Sequence, residues 1–515
     1  MANKEANKEA NKMLKKIFLI VAAVGVAGSA FAQDAAIGPD GARHLLGRTG
    51  FAASSNDIRA FAKLSRAAAA DQLIKSGAAS TAAITPPPAW VNDLPLAPAK
   101  RQAMSAEERQ TENRKNAEHA FQLREWWFRE MLNTPSPLAE KMTLFWHNHF
   151  ATSQQKVRFT PFMYRQNVLL RRNALGNFGS LLREIGRDPA MLIYLDGVNS
   201  RKESPNENFA REVMELFTLG VGHYSEKDIK EAARAFTGWS VDREAGDFLF
   251  RRAIHDAGNK TVLGKSGDLD GDQVIDVLLS KPETAQFITR KLWKEFVSTV
   301  PDEREVARLA AMFQGSGYNI ARLMRALLSS DAFYAAENRA ALIKSPVEFV
   351  VGTMKTFEIN TANLRPFVLA SALLGQNVFA PPNVKGWPGG ETWINSATLL
   401  GRKQLLDRLF KNEDRMDVAM RSVDDMAAAN GDAPPPGREA RMQRQMERQM
   451  GGIHWNLDKW AANFVDAERG LSVATGVPEM TRVVLPMAPL RALARNDNPA
   501  DLVRQLVVDP AYQLK

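Results

Sequence analysis

The sequence contains no cysteine in 515 residues. A disulfide framework, a thiol nucleophile, an iron–sulfur cluster and a thiolate zinc site are therefore excluded. A chain of this length can bury a core large enough to fold without disulfides. Any chemistry must therefore rest on carboxylates, amides, amines, hydroxyls and the seven histidines.

Long apolar runs are also scarce, and no segment after the N-terminus reaches the ~18 apolar residues of a membrane-spanning helix. A shorter apolar run over residues 17–28 follows Lys15 and Lys16, and the residues up to Ala32 match a signal-peptide cleavage pattern. We expect residues 1–32 to be a signal peptide with a low-complexity extension, cleaved after Ala32. The mature protein is then periplasmic or secreted, with no transmembrane segment. An uncleaved membrane anchor is the alternative.

Positive charge is in modest excess. The formal net charge is +9, and residues 1–32 contain five lysines and two glutamates, so an excess of +6 remains for the rest of the chain. No helix-turn-helix signal and no basic-aromatic motif accompanies this excess. We therefore expect no nucleic-acid partner, whereas a basic surface that faces an anionic envelope polymer or lipid head group stays open.

Several catalytic signatures are missing as well. The sequence has no Gly-x-Ser-x-Gly elbow, no His-Glu-x-x-His zinc motif, and no dinucleotide-binding or phosphate-loop fingerprint. The common serine hydrolases, zinc proteases and nicotinamide-dependent enzymes therefore lose support. The sequence leaves open whether the protein is an enzyme.

What the sequence does contain is a series of amphipathic helical periods. We predict an all-α fold, a predominantly helical globular array with at most one small β-hairpin near residues 240–265. Residues 33–426 are expected to form the main helical domain. A Pro-, Arg- and Met-rich insertion over residues 427–452 is expected to be a flexible loop or an exposed helix. Residues 453–515 are expected to form a helical segment that packs on the main domain.

The densest polar chemistry lies in the stretch NENFAREVMELFTLG, which begins at Asn206. We predict one helix here, with Asn206 as its N-cap and a surface ladder between Glu207 and Arg211. Glu212 and Glu215 alternate with apolar residues instead, so at least one of them must border the buried side of the helix. A carboxylate there needs partners, or its pKa rises and it becomes a usable general acid.

Glu212, Glu215 and the more distant His255 are therefore candidate catalytic residues. The candidate ligand-lining residues around them are Arg201, Asn208, Trp239 and Trp387. Carboxylates for proton transfer, amides for hydroxyl groups and aromatic rings for sugar faces are the equipment of a carbohydrate cleft. The alternative is a salt-bridged structural helix with ordinary caps, together with tryptophans that only pack.

His147 and His149, in the phrase MTLFWHNHF, are candidate ligands for a divalent metal. A His-x-His pair presents two imidazoles to one metal when the segment is extended. The surrounding apolar residues follow the helical period instead, and on a helix residues two apart point ~200° away from each other. On that interpretation His149 faces the core and His147 does not, and the role of the histidines is packing.

The chain as a whole resembles a family of exported bacterial proteins, the domain of unknown function 1800 (DUF1800). The matching phrases are ARHLLGRTGF, MTLFWHNHF, QNVLLRRNALGNFGSLL, PNENFAREVMELFTLGVGHYSEKDIKEAARAFTGW, HDAGNKTVLG and PPNVKGWPGGETWINSATLLGR, which together span about residues 40–410. The resemblance implies an exported, predominantly α-helical protein and a sulfatase-like protein, encoded alongside, as a partner. It implies no catalytic residues, because the family has no settled activity.

Three functional hypotheses are open. The first is an exported helical protein that acts with an envelope or secreted partner through a central polar cleft in residues 142–255. The second is a hydrolase of an extracellular or envelope polymer, a glycan, that uses Glu212 and Glu215. The third is a metal-dependent enzyme with His and Glu ligands.

Overall fold

The computed structural model describes residues 35–242, 244–410, 441–446, 455–465, 473–493 and 498–515. This part of the chain is mostly helical, which confirms the prediction of a predominantly all-α fold. None of its helices combines the length and the apolar composition needed to cross a membrane. The expected signal peptide at residues 1–32 and most of the expected insertion at residues 427–452 lie outside the described residues.

Side-chain caps fix the starts of many helices. At Ser54, Ser105, Ser225 and Ser345 the hydroxyl accepts a bond from the backbone N–H three residues on, and the acidic side chain there bonds back to the backbone of the serine. The α-helices in chain order are α1 (Gly38–Thr49), α2 (Ser55–Phe61), α3 (Arg66–Ala79), α4 (Pro98–Ala103), α5 (Ala106–Asn133), α6 (Pro137–His149), α7 (Gln154–Val157), α8 (Thr160–Arg172), α9 (Phe178–Gly186), α10 (Pro189–Tyr194), α11 (Glu207–Glu212), α12 (Glu226–Ala235), α13 (Gly271–Ser280), α14 (Pro282–Phe296), α15 (Glu303–Gly315), α16 (Ile320–Leu328), α17 (Asp331–Tyr334), α18 (Pro346–Thr356), α19 (Arg365–Leu373), α20 (Ser396–Phe410), α21 (Leu457–Ala461), α22 (Val473–Val484) and α23 (Pro499–Val507).

Two short antiparallel hairpins follow α12, where we predicted at most one. Strand β1 (Trp239–Val241) pairs with β2 (Phe248–Phe250), and β3 (Lys260–Val262) pairs with β4 (Lys265–Gly267). The second hairpin closes through a two-residue turn in which both central residues have positive φ, 49° for the leucine and 88° for the glycine. Such a turn matches the twist of paired strands, and the Leu-Gly pair at its centre does not have the usual Asn-Gly signature.

Helix α6 lies at the centre of the core. Its Trp146 is fully buried, as are Trp127 of α5 and Trp293 of α14. Each of these indoles donates its N–H to an internal acceptor, so their burial leaves no donor unpaired. The C-terminal end of α6 carries both candidate histidines and is therefore held in a rigid surrounding.

The last part of the chain contacts the helices that precede it. The indole of Trp460 donates to the carbonyl of Thr356 at 2.8 Å, which joins α21 to the end of α18. An isolated β-bridge pairs Ile343 with Leu514, just before α18 begins. The final described residues therefore lie against the N-terminal end of α18.

Candidate functional site

The acidic stretch is a helix that changes type halfway. Asn206 caps α11 as predicted, because its side chain accepts a hydrogen bond from the N–H of Asn208 at 2.8 Å. The predicted single α-helix then becomes a π-helical turn over Val213–Thr218. In this turn the N–H of Leu219 donates to the carbonyl of Met214, five residues back, at 2.8 Å. Single π-turns are rare and are often found at functional sites.

The first charges of the stretch form a surface ion-pair network. Arg211 lies 3.6 Å from Glu207 one turn earlier, as the predicted ladder requires. Its main partner is Glu226 at the start of α12, which accepts two hydrogen bonds from the guanidinium at 2.7 and 2.8 Å. All three side chains are at least one-third exposed, so this network contributes little to stability.

Glu212 lies differently. Its side chain is half-buried, and its carboxylate makes no hydrogen bond or ion pair with any residue that the structure describes. Burial and the neighbouring charge of Glu215 raise the pKa of Glu212, whereas the charges of Lys385 and Arg211 act to lower it. The carboxylate therefore has both negative and positive neighbours, and it is available to bind a ligand or a proton.

Two tyrosines flank the glutamate pair. The phenol of Tyr224 donates to the carboxylate of Glu215 at 2.5 Å, and burial together with this bond raises the pKa of Tyr224. Burial and the charge of Glu212 raise the pKa of Tyr194, at the end of α10. We call the surface formed by Tyr194, Glu212, Glu215, Tyr224 and Lys385 the acidic groove.

The loop that carries Lys385 is docked on the end of α6. The backbone N–H of Trp387 donates to the side-chain oxygen of Asn148 at 2.7 Å, and the Asn148 amide donates back to the Trp387 carbonyl at 3.3 Å. Gly386 has φ of 79°, and a β-carbon there would lie 2.5 Å from the Asn148 carbonyl oxygen. Only glycine permits this close approach. The loop is therefore fixed on the end of α6, and the charge of its Lys385 acts on Glu212.

His147 binds the backbone of the same loop. Its Nε2 accepts a hydrogen bond from the backbone N–H of Phe379 at 3.0 Å, and its ring lies 5.7 Å from the ring of Trp387. The side chain is 1% exposed, and burial lowers the pKa of His147 to about 3. The prediction that His147 faces away from the core is therefore wrong, because the loop after α19 folds over that face of α6.

His149 contacts the π-turn. Its Nε2 lies 3.2 Å from the carbonyl of Phe217 in the π-turn, and its Nδ1 lies 2.8 Å from the ammonium of Lys291 in α14. The ring is buried, as predicted, and burial followed by the charge of Lys291 lowers the pKa of His149. The neutral ring thus donates to the carbonyl through Nε2 and accepts from Lys291 through Nδ1.

These bonds bear on the predicted metal site at His147 and His149. Three of their ring nitrogens already have hydrogen-bond partners, and the two rings bind different segments: His147 binds the loop after α19, and His149 binds the π-turn. Within the described ranges, no group of three or more His, Cys, Asp or Glu side chains is placed to hold a metal ion. The predicted divalent metal therefore has no ligand set in that part of the chain.

The other predicted site residues do not join the glutamates. His255 lies beside the carbonyl of Thr237, with its Nδ1 at 2.8 Å, and no hydrogen bond or ion pair links it to Glu212 or Glu215 in the part of the chain that the structure describes. Trp239 is 4% exposed and packs among aromatic rings, so it presents no face to a ligand. Trp387 is also 4% exposed, so its ring is buried beneath the loop that carries it.

Arg201 and Asn208 are the two exposed members of the predicted lining. Arg201 pairs with Ser204 in an isolated β-bridge, in the loop that leads to α11. The Asn208 amide donates to the carbonyl of Leu195 at 3.4 Å, which ties α11 to the end of α10. Asn208 therefore holds α11 against α10, next to the acidic groove.

Sequence reasoning missed four residues that shape the acidic groove: Tyr194, Tyr224, Asn148 and Lys385. Asn148 lies between the two histidines. A polar residue at the end of an apolar helix could have indicated a contact with another segment. Lys385 lies in the phrase PPNVKGWPGG, whose glycines and prolines predict a fixed turn. Nothing local in the sequence places that turn opposite Glu212.

A cavity of about 600 Å³ lies elsewhere, between the C-terminal ends of α5 and α18. Arg129, Asn133, Lys355 and Glu358 are among its polar lining residues. The ammonium of Lys355 donates to the carbonyl of Leu132 at 2.7 Å, so it already serves the end of α5. None of the predicted site residues lines this cavity.

Comparison with known proteins supports the resemblance seen in the sequence. The family described as "Protein of unknown function (DUF1800)" matches residues 44–514, nearly the whole chain. No curated protein and no solved structure matches the chain significantly. The chain therefore belongs to the DUF1800 family.

Proposed function

We propose that this DUF1800 protein is an exported binding protein that acts with an envelope or secreted partner through the acidic groove. The observation that carries the proposal is the half-buried carboxylate of Glu212, which has no hydrogen-bond or ion-pair partner among the described residues. Keeping a carboxylate partly out of water without a partner costs free energy. A ligand that donates hydrogen bonds to Glu212 would recover that cost.

The chemistry of the acidic groove indicates which ligands fit. Glu212 and Glu215 accept hydrogen bonds, the exposed Lys385 donates them, and the partly buried rings of Tyr194 and Tyr224 offer apolar edges. Hydroxyl-rich polymers and polar protein segments both match such a surface. The family resemblance favours a protein partner of the sulfatase-like class, and the expected signal peptide favours an encounter in the periplasm or outside the cell.

The proposal can be tested by affinity capture from the native extracellular or periplasmic fraction. Full-length protein should retain its partner, whereas Glu212→Ala combined with Lys385→Ala should lose it. The matched control is Asp71→Ala with Arg325→Ala, which removes an exposed ion pair far from the acidic groove in sequence. Equal capture by all three proteins would overturn the proposal.

A second candidate function is hydrolysis of a glycan by the two glutamates. The specific observation in its favour is that the two carboxylates differ: burial and Glu215 raise the pKa of Glu212, and Glu215 is held by Tyr224. In this scheme Glu212 donates its proton to the glycosidic oxygen as the bond to the leaving group breaks. Glu215 acts as the general base that takes a proton from the attacking water.

The two candidates give different results with Glu212→Gln. In the hydrolase, a glutamine cannot donate the proton, so glycan cleavage should fall by about 10²-fold or more while binding persists. In the binding protein, no cleavage is seen with either protein, and only the affinity changes. Reducing-end release from purified envelope polysaccharide measures cleavage, and co-sedimentation with the same polymer measures binding.

A further inference from the structure

Strand β2 and the turn after it carry a run of exposed residues that the acidic groove does not use. Leu249 and Phe250 are 37% and 42% exposed, although both side chains are large and apolar. Arg251 and Arg252 follow them directly and are exposed as well. Four consecutive residues therefore present two apolar side chains and two guanidinium groups to solvent.

The loop that leads to α11 brings two more cations to the same place. The backbone N–H of Lys202 donates to the carbonyl of Ile254 at 2.8 Å, and its ammonium donates to the carbonyl of Ala253 at 3.1 Å. Arg201 precedes Lys202, and both side chains are exposed. The loop therefore lies against the turn that begins with Arg252.

Gly238 joins the two segments next to Phe250. Its N–H donates to the carbonyl of Ser200 at 3.2 Å, and its carbonyl accepts from the N–H of Arg251 at 2.8 Å. A β-carbon at Gly238 would lie 3.0 Å from the ring of Phe250, so this ring lies over the junction. We call the surface formed by the exposed residues of the two segments the basic patch: Arg201, Lys202, Leu249, Phe250, Arg251 and Arg252.

The charge of the basic patch is not balanced locally. Its four cations form no ion pair with any residue in the described ranges. Residues 199–204 and 249–255 contain these four cations and one carboxylate, that of Glu203, which leaves a net charge of +3. An exposed cluster of cations is ordinarily hydrated, but large apolar side chains that share the same surface indicate an interaction site.

The apolar members decide which anionic partner fits. Lysine and arginine attract lipid head groups and anionic polysaccharides alike. The aliphatic side chain of Leu249 forms no hydrogen bond with a polysaccharide. Leucine and phenylalanine beside basic residues are, however, the side chains that enter the boundary between lipid head groups and acyl chains.

We propose that the basic patch binds the surface of an anionic phospholipid bilayer. Leu249 and Phe250 insert at the level of the head groups, and the four cations pair with lipid phosphates. Such binding is peripheral and reversible, because only two apolar side chains enter the bilayer. The proposal is independent of the acidic groove, since the two surfaces share no residue.

The first test is co-sedimentation of the full chain with vesicles of equal parts phosphatidylglycerol and phosphatidylcholine, and with phosphatidylcholine alone. Wild type should prefer the anionic vesicles, and salt should weaken this preference. Each cation near an anionic membrane strengthens binding about fivefold, so Arg201→Gln with Arg252→Gln should weaken it about 20-fold. The control, Arg304→Gln with Arg322→Gln, removes the same charge from two exposed arginines of α15 and α16 and should bind nearly as wild type does. An equal loss in both variants, or no preference in wild type, overturns the proposal.

The apolar half is tested with Leu249→Thr and Phe250→Thr together, because threonine retains the strand propensity of β2. This variant should bind the anionic vesicles several-fold more weakly than wild type. If it binds them equally well, the patch recognises negative charge alone, as an anionic polysaccharide would supply it, and the bilayer is not its partner.

A label within the basic patch gives a local measurement, because the chain has no cysteine and one introduced thiol is unique. Phe250→Cys labelled with nitrobenzoxadiazole should emit at shorter wavelength when anionic vesicles are added. The same label at Ala307→Cys, an exposed position of α15, should not respond. This comparison does not depend on the expected signal peptide. An unchanged emission at position 250 overturns the proposal, even where the protein sediments with the vesicles.

Discussion

Two groups of glutamates in this molecule are held in opposite ways. In the buried ion cluster, defined by Lys141, Glu295, Glu348 and Lys515, the Glu348 carboxylate pairs with both lysines. Glu295 lies 3.1 Å from Lys141 and 3.2 Å from Lys515 at the rim of the cluster. In the acidic groove, by contrast, Glu212 is half-exposed and pairs with no described residue.

The difference separates charges that hold the fold from charges that are available to a ligand. Lys141 and Glu348 are 1% and 4% exposed, and they join α6 to α18, so their interaction is complete within the chain. Glu212 lies at the end of a short helix and Glu215 lies in the π-turn, and the charge of Lys385 in the docked loop acts on Glu212. The charges of the buried ion cluster are paired with one another and offer nothing to a ligand. The carboxylate of Glu212 in the acidic groove is unpaired among the described residues and can bind one.

The largest expected effect is the loss of a carboxylate from the buried ion cluster. Glu348→Gln leaves Lys141 and Lys515 with one carboxylate between them, and removing one partner of a buried pair costs about 3–5 kcal/mol. Urea denaturation should show this loss in the free energy of unfolding. The control, Glu303→Gln, removes an exposed partner of Arg290 and should leave stability nearly unchanged. A loss below ~1 kcal/mol for Glu348→Gln would erase the contrast between the two regions.

The pH dependence of stability should have opposite signs in the two regions. Burial acts to raise the pKa of Glu295, but Lys515 and Lys141 lower it to about 2, so its contribution is present above pH 4.5 and lost as pH falls towards 2. The pKa of Glu212 is raised above 4.5, so its ionised form opposes folding once pH rises through that raised value.

Comparing Glu295→Gln and Glu212→Gln with wild type from pH 2.5 to 7 tests these signs. Glu295→Gln should be less stable than wild type near neutral pH, and the deficit should shrink as pH falls. Glu212→Gln should be equal to wild type at low pH and slightly more stable near neutral pH. Two curves of the same sign would mean that Glu212 is paired in solution.

A smaller effect is expected at the loop that faces the glutamates. Gly386→Ala forces a β-carbon towards Asn148 and also places alanine at φ of 79°. Gly389→Ala meets nothing within 4 Å and has φ of 73°, so it isolates the cost of the backbone angle, about 1–2 kcal/mol. Gly386→Ala should cost more in free energy of unfolding, and it should also weaken partner capture. Equal costs for both variants would show that the loop does not need its contact with Asn148.

Local features of the sequence predicted much of the fold. Amphipathic periods indicated the helices, and the cap at Asn206 is found as predicted. The π-turn could not be predicted, because its stability depends on a distant residue. The carbonyl of Phe217 accepts a hydrogen bond from His149 of α6, which is far away in the chain. The pattern of apolar residues is the same for an α-turn and a π-turn over so few residues.

The candidate site was predicted only in part. Glu212 and Glu215 were identified because they border apolar residues within one helix, which is local information. Lys385 comes near them only because Asn148 binds the backbone of Trp387, across 239 positions of sequence. His255 was included for its residue type alone, and tertiary structure places it against Thr237 instead.

The smallest effect concerns the cations that surround Glu212. Lys385 and Arg211 both lower the pKa of Glu212, and the contribution of Lys385 is the larger. Lys385→Gln should therefore shift the titration of Glu212 upward more than Arg211→Gln does. Neither should change stability measurably, since Lys385 is exposed and the ion pairs of Arg211 lie at the surface. Carbon-13 NMR of the labelled glutamate carboxyls measures the titration, with assignment from Glu212→Gln. An unchanged titration in Lys385→Gln would place the loop away from the glutamates in solution, and the acidic groove would then have only one wall.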